Sequence, residues 1–119
     1  MRLFPIVLAV TLLGGCAAPS LYKWGGYDQA LYNGYKDPNE MTALRLKLET
    51  HISEMEKSGQ KVAPGLYAEL GTLYLQAGSS DKAMALYAKE RQSWPESKGL
   101  MTAMIQNIER RPQAGEVAK

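Results

Sequence analysis

The chain has very little of what reactive chemistry is usually built from. Of its 119 residues one is cysteine, Cys16, and one is histidine, His51. A single cysteine excludes intramolecular disulfides, so packing has to hold the fold. A single histidine supplies neither a zinc ligand set nor a Ser/His/Asp arrangement without partners from elsewhere. Between Thr50 and Ile52 on an expected helix, His51 reads as a boundary residue. The acids Glu54 and Glu56 are two positions apart and diverge around a helix, and Asp37 and Glu40 are better explained by capping. Gly25 and Gly26 lack the spacing, helix start and lysine of a phosphate loop. No stretch concentrates one sign of charge: 14 basic side chains are scattered among 12 acidic ones. That pattern belongs to a solvated helical surface, and nucleic acid, which needs Lys and Arg clustered on one face, is not an expected partner. The sequence predicts no catalytic residue, no metal and no cofactor, and it does not read as an enzyme.

Long apolar runs are also missing, apart from a short one at the start. Met1 and Arg2 form a minimal basic region, residues 3–13 an apolar stretch broken by Pro5, and Gly14 and Gly15 a small-residue cleavage site. This is the layout of a secretory signal peptide over residues 1–15. The run is shorter than the ~20 apolar residues that cross a bilayer. Its end, Leu13, Gly14, Gly15, Cys16, resembles the bacterial lipobox, in which diacylglycerol is attached to the cysteine sulfur, the chain is cut before that residue and the new amine is acylated. The resemblance implies a lipid anchor at Cys16, since two or three chains hold where one gives only reversible attachment. Ala17 after the cysteine, where Asp would retain the protein, implies sorting to the outer membrane of a diderm host, facing the periplasm. Processing also removes Arg2, so the mature chain has a formal balance of +1 and 104 residues, room for one modest core.

Residues 17–20 form a small-residue tether. The following segment carries Tyr22, Trp24, Tyr27, Tyr32 and Tyr35, a dense aromatic group, with a short helix expected from about Gln29 to Lys36. Two readings stand: the rings pack on the helical core, or they face headgroups or a partner, because Tyr and Trp suit half-wet surfaces.

Asp37, Pro38, Asn39, Glu40 predicts a helix start, with Asp37 as cap and Pro38 at the first helical position. The helix is expected to reach about Ser58, with Met41, Leu44, Leu48, Ile52 and Met55 on one stripe and Gly59 as the stop. Lys57 to Ala63 reads as a polar connection. Residues 64–95 then look like one tetratricopeptide repeat, a helical hairpin of about 34 residues. Counting from Pro64, Tyr67, Leu70, Gly71, Tyr74, Ala83, Tyr87 and Pro95 fall on its pattern positions around a turn at Gly78, Ser79 and Ser80. Glu90 departs from the pattern, which has Ala there, so packing around it is expected to be looser or altered.

One repeat cannot bury its own apolar face. The neighbours must complete it: the 38–58 helix on one side, and on the other a closing helix from Lys98 with the stripe Met101, Met104, Ile105 and Ile108. The expected fold is therefore all-α, antiparallel helical hairpins of tetratricopeptide type over residues 37–111, behind the signal peptide and the lipidated segment 16–36, with a mobile tail at 112–119. By the repeat's geometry, Ala68, Thr72, Leu75 and Gln76, continued by Thr102, Gln106 and Glu109, line a concave groove, either open to a partner or filled by the protein's own segments.

The lipobox, the Leu-Tyr-Lys-Trp-Gly-Gly-Tyr segment with Leu31, Tyr32 and Tyr35 behind it, and the hairpin together resemble a family of small proteobacterial lipoproteins of unknown function. Members are typically encoded beside a lipoprotein like the curli secretion channel. The resemblance implies a protein partner in an outer-membrane assembly. Two other roles compete: a pilotin-like secretin chaperone, although those carry several complete repeats, and a small hydrolase or ligand-binding lipoprotein, which would need a pocket gathering His51 with a carboxylate and a hydroxyl.

Overall fold

A computed structural model describes residues 21–111; the expected signal peptide 1–15, Cys16, the expected tether 17–20 and the tail 112–119 lie outside the described residues. Within them the chain is all-α, five helices packed as antiparallel neighbours: α1 (Tyr27–Lys36), α2 (Met41–Lys57), α3 (Leu66–Gln76), α4 (Ser80–Ser93) and α5 (Lys98–Arg110).

Pro38 ends α1. Asp37, the residue before it, is driven to an extended conformation (φ −138, ψ 112) and cannot continue the helix. Its carboxylate then accepts from the Asn39 backbone N–H at 2.9 Å, and its carbonyl accepts from the N–H of Glu40. The second bond spans three residues, so the chain makes a single 3₁₀ turn over Pro38–Glu40 before α2 begins at Met41. The expected helix start is thus a capped 3₁₀ turn followed by the α-helix.

Leu44, Leu48, Ile52 and Met55 are buried along one stripe of α2, and Met41 packs against Gly34 of α1. The helix stops as its sequence requires. Gly59 takes φ 70, donating to the Glu56 carbonyl while Gln60 donates to that of Met55, the paired bonds that satisfy a helix C-terminus. The same pairing closes α3, from Gly78 to Leu75 and from Ser79 to Tyr74.

The connection to α3 is not polar throughout. Val62 and Ala63 are fully buried in the core with Leu66, Tyr67, Leu70 and Leu73 of α3 and the α2 stripe. Their apolar side chains close the core where the chain turns from one helix into the next, and only the part up to Lys61 is solvated.

The most extensive contact is between α3 and α4, followed by α4 with α5. Gly71 explains the closeness of the first. A Cβ there would sit 2.9 Å from Tyr87 Cε1 and 3.2 Å from the Ala83 carbonyl oxygen, so the two backbones approach only because position 71 has no side chain. Ala83 and Tyr87 are fully buried and, with Met101 and Ile108 of α5, make a second core cluster beside the first. The closing helix starts at Lys98 after a 3₁₀ turn at Pro95–Ser97.

Candidate functional site

The five aromatics of the N-terminal segment divide by direction. Tyr22 sets its ring against Trp94 edge to face, centroids 5.5 Å apart and planes at 89°. Tyr27 is half-buried against the first core cluster near the Glu69 carboxylate of α3; burial and that carboxylate push its hydroxyl up to about 12. Trp24, Tyr32 and Tyr35 point to solvent. Helical spacing accounts for the division on α1: Tyr27, Ala30, Leu31 and Gly34 form the inward stripe, leaving Tyr32 and Tyr35 on the outer one.

His51 holds this segment in place. Its Nε2 lies 3.0 Å from the Lys23 carbonyl. A carbonyl can only accept, so Nε2 carries the hydrogen and donates it. The ring also fills the space beside Gly25, where a Cβ would come within 2.5 Å of Nδ1. The same ring borders an open recess of about 400 Å³ lined by Gly25, Leu46, Lys47, Thr50 and Glu54. A carboxylate and a hydroxyl therefore do lie near His51, but they are not wired to it. The Thr50 hydroxyl donates to the Leu46 carbonyl at 3.0 Å, and among the described residues the hydrogen bond of the imidazole goes to Lys23. Among the described residues no group of three or more His, Cys, Asp or Glu side chains could hold a metal ion.

A second recess of about 320 Å³ lies over α3, between α2 and α4, lined among others by Glu49, Glu56, Tyr74, Lys82 and Lys89. Its charges are engaged with one another. Glu56 Oε1 accepts from Lys89 Nζ at 2.8 Å and from the Tyr67 hydroxyl at 3.0 Å. The Lys89 bond holds the Glu56 carboxyl below the usual range, while burial, followed by Glu56, pushes Tyr67 up to about 12. Tyr74 donates to Glu49, and the Arg45 guanidinium at 5.4 Å and Lys82 Nζ at 4.7 Å both stand over its ring. These contacts tie α2 and α4 together across α3.

The residues expected to line a concave groove fall into two sets. Ala68 and Leu75 pack against the second core cluster. Thr72 donates its hydroxyl hydrogen to the Ala68 carbonyl at 3.0 Å and accepts from the Tyr87 hydroxyl at 2.9 Å. The Thr102 hydroxyl accepts from Arg91 at 3.2 Å. Gln76, Gln106 and Glu109 are exposed. The first four are half-buried through contacts within the domain, and the three long polar side chains stand in solvent.

Three features were not legible as site or core residues. Trp94 is buried at the end of α4, receiving Tyr22 on one side and Lys61 Nζ at 3.8 Å from its ring centroid on another. Its size alone, one residue before Pro95, was the available signal. Glu90 is 1% exposed, and its Oε1 accepts the Gly65 N–H at 2.7 Å where the chain enters α3. The looser or altered packing expected at this position takes the form of a specific bond. The Glu49 and Glu56 contacts to tyrosine join residues far apart in sequence and left no local trace.

This helical core, from the aromatic segment into the first half of α5, coincides with the family model of a domain of unknown function (DUF4810), which matches residues 21–104. The chain belongs to that family. No curated protein and no solved structure matches it. The family match begins at Leu21 and includes Trp24, Gly25 and Gly26, so the segment held by His51 and Trp94 is part of the domain itself. Among the described residues no helix is long and apolar enough to cross a membrane.

Proposed function

We propose that this DUF4810 chain is a lipoprotein anchored to the outer membrane through Cys16, and that its helical domain is a protein-interaction module in an envelope complex. The observation that carries the reading is Leu13, Gly14, Gly15, Cys16 closing an apolar run only five residues before the family domain begins. Such spacing leaves almost no linker, so the domain works next to its anchor. The α3–α4 hairpin, with Gly71 under Tyr87 and Ala83 at the crossing, is of the tetratricopeptide type in this reading. Gln76, Gln106 and Glu109 are its partner-facing residues. A lipoprotein like the curli secretion channel is the partner that the wider resemblance favours.

The test is purification of the lipidated chain from envelopes after mild crosslinking. One stoichiometric protein partner is expected, and it should be lost when Gln76, Gln106 and Glu109 are replaced by Lys, Lys and Arg. Recovery of the chain alone under several crosslinking conditions would refute the interaction role, and export of a Cys16→Ser variant to the membrane fraction unchanged would refute the anchor.

A further inference from the structure

Of the six large hydrophobic side chains that stand exposed among the described residues, five belong to residues 21–46: Leu21, Trp24, Tyr32, Tyr35 and Leu46; the sixth is Leu100. Leu21 and Tyr35 are each 84% exposed. The exposed large apolar side chains of the described residues are thus concentrated in their N-terminal part.

Its chemistry is specific. The rings are Trp and Tyr, with apolar bodies and polar tips, the side chains that favour the boundary between hydrocarbon and water. Cations are interleaved with them. Lys36 Nζ stands 5.2 Å from the Tyr32 ring centroid on the outer stripe of α1. Lys47 lies beside Gly26 and, with Leu46, borders the recess next to Gly25. Lys23 is exposed between Tyr22 and Trp24. Ammonium groups among half-wet rings complement phosphate-bearing headgroups. The position of the surface completes the case. From Cys16 to Leu21 the chain can span at most about 17 Å, which keeps the first exposed residue within a headgroup layer's distance of any lipid on that cysteine.

We infer that Trp24, Tyr32 and Tyr35, with Leu21 and Leu46, form a lipid-contacting surface that seats the domain on the bilayer in one orientation, its occupant being the phospholipid headgroup region. The inference rests on the reading of Cys16 as the lipidated residue. The inward partners of the same segment, Tyr22 on Trp94 and Lys23 on His51, fix the angle at which the surface is presented.

The experiment uses the lipidated chain in vesicles of phosphatidylethanolamine and phosphatidylglycerol, with and without lipids brominated near the headgroup. The chain has two tryptophans, and Trp94 is buried, so the difference between the native protein and Trp24→Phe reports Trp24. Its emission is expected to shift to shorter wavelength and to be quenched by the brominated lipid, and a Tyr32→Ser, Tyr35→Ser, Lys36→Glu variant is expected to lose the quenching while still floating with the vesicles. Trp24 that stays unquenched in protein that floats would overturn the lipid surface and leave the anchor standing; so would shielding of Tyr32 and Tyr35 from iodination only when an envelope protein is added. A Cys16→Ser protein that floats as well as the native one would refute the anchor instead, and the two failures are read separately.

Discussion

Glu90 and Gly71 show how much single positions decide here. Glu90 brings a carboxylate into the core to receive the Gly65 N–H, and its second oxygen finds no partner among the described residues. Replacing it by Ala leaves that N–H unpaired, which costs about 1–3 kcal/mol. At roughly 4–8 °C per kcal/mol for a domain of this size, the melting temperature of Glu90→Ala should fall by several degrees. Glu90→Gln keeps an acceptor and should lose much less, which thermal unfolding followed by circular dichroism would show. At Gly71 two effects oppose each other. Alanine gains about 1 kcal/mol of helix propensity, but its Cβ meets Tyr87 and the backbone carbonyl of Ala83. The carbonyl belongs to α4 and cannot swing aside, so overpacking at about 1–3 kcal/mol outweighs propensity. Gly71→Ala should therefore destabilise, and Gly71→Val more so; an Ala variant melting above the native protein would contradict the close crossing.

Among the elements, the N-terminal segment is held by few contacts and the α3–α4 hairpin by many. His51→Ala removes the bond to the Lys23 carbonyl and the ring beside Gly25. It should speed amide exchange at Tyr27 and Ala30, which donate to Trp24 and Gly26, while exchange in α3 and α4 stays slow. Equal acceleration throughout would mean that His51 supports the whole domain. Trp94→Ala acts on more than one element at once, because its ring receives both Tyr22 and Lys61. A loss of about 3–5 kcal/mol is expected from chemical denaturation, together with loosening of α1.

For the whole molecule, the tyrosines that face carboxylates of neighbouring helices set a pH window. Tyr27 and Tyr67 have folded values raised from 10.0 to about 12. Raised values mean that the folded state holds those protons more tightly, so their contribution is complete below pH ~10 and disappears as pH climbs through about 12. Glu56 is shifted the other way, chiefly by Lys89, so its contribution is present above the ordinary glutamate value and fades as pH falls below it. Stability should be flat through neutral pH and fall on both sides. Tyr27→Phe and Tyr67→Phe should each flatten the alkaline limb in melts from pH 8 to 12, and Lys89→Met should flatten the acid limb. An alkaline limb unchanged in both tyrosine variants would rule out these tyrosines as its source.

The sequence by itself determined the elements and their ends. The Leu44, Leu48, Ile52, Met55 stripe, the stops at Gly59 and Gly78, the turn after Asp37 and the close crossing at Gly71 are all written within a few residues of where they act. Helix period and capping depend on neighbours three or four positions away, so they can be read without the fold. Only the tertiary structure decided which of five aromatics face inward, that Val62, Ala63 and Trp94 are core, that Glu90 caps the entry to α3, and that His51 serves Lys23. Those pairings join residues 25 to more than 70 positions apart. No local pattern encodes them, because a side chain's partner across that distance exists only once the helices have packed.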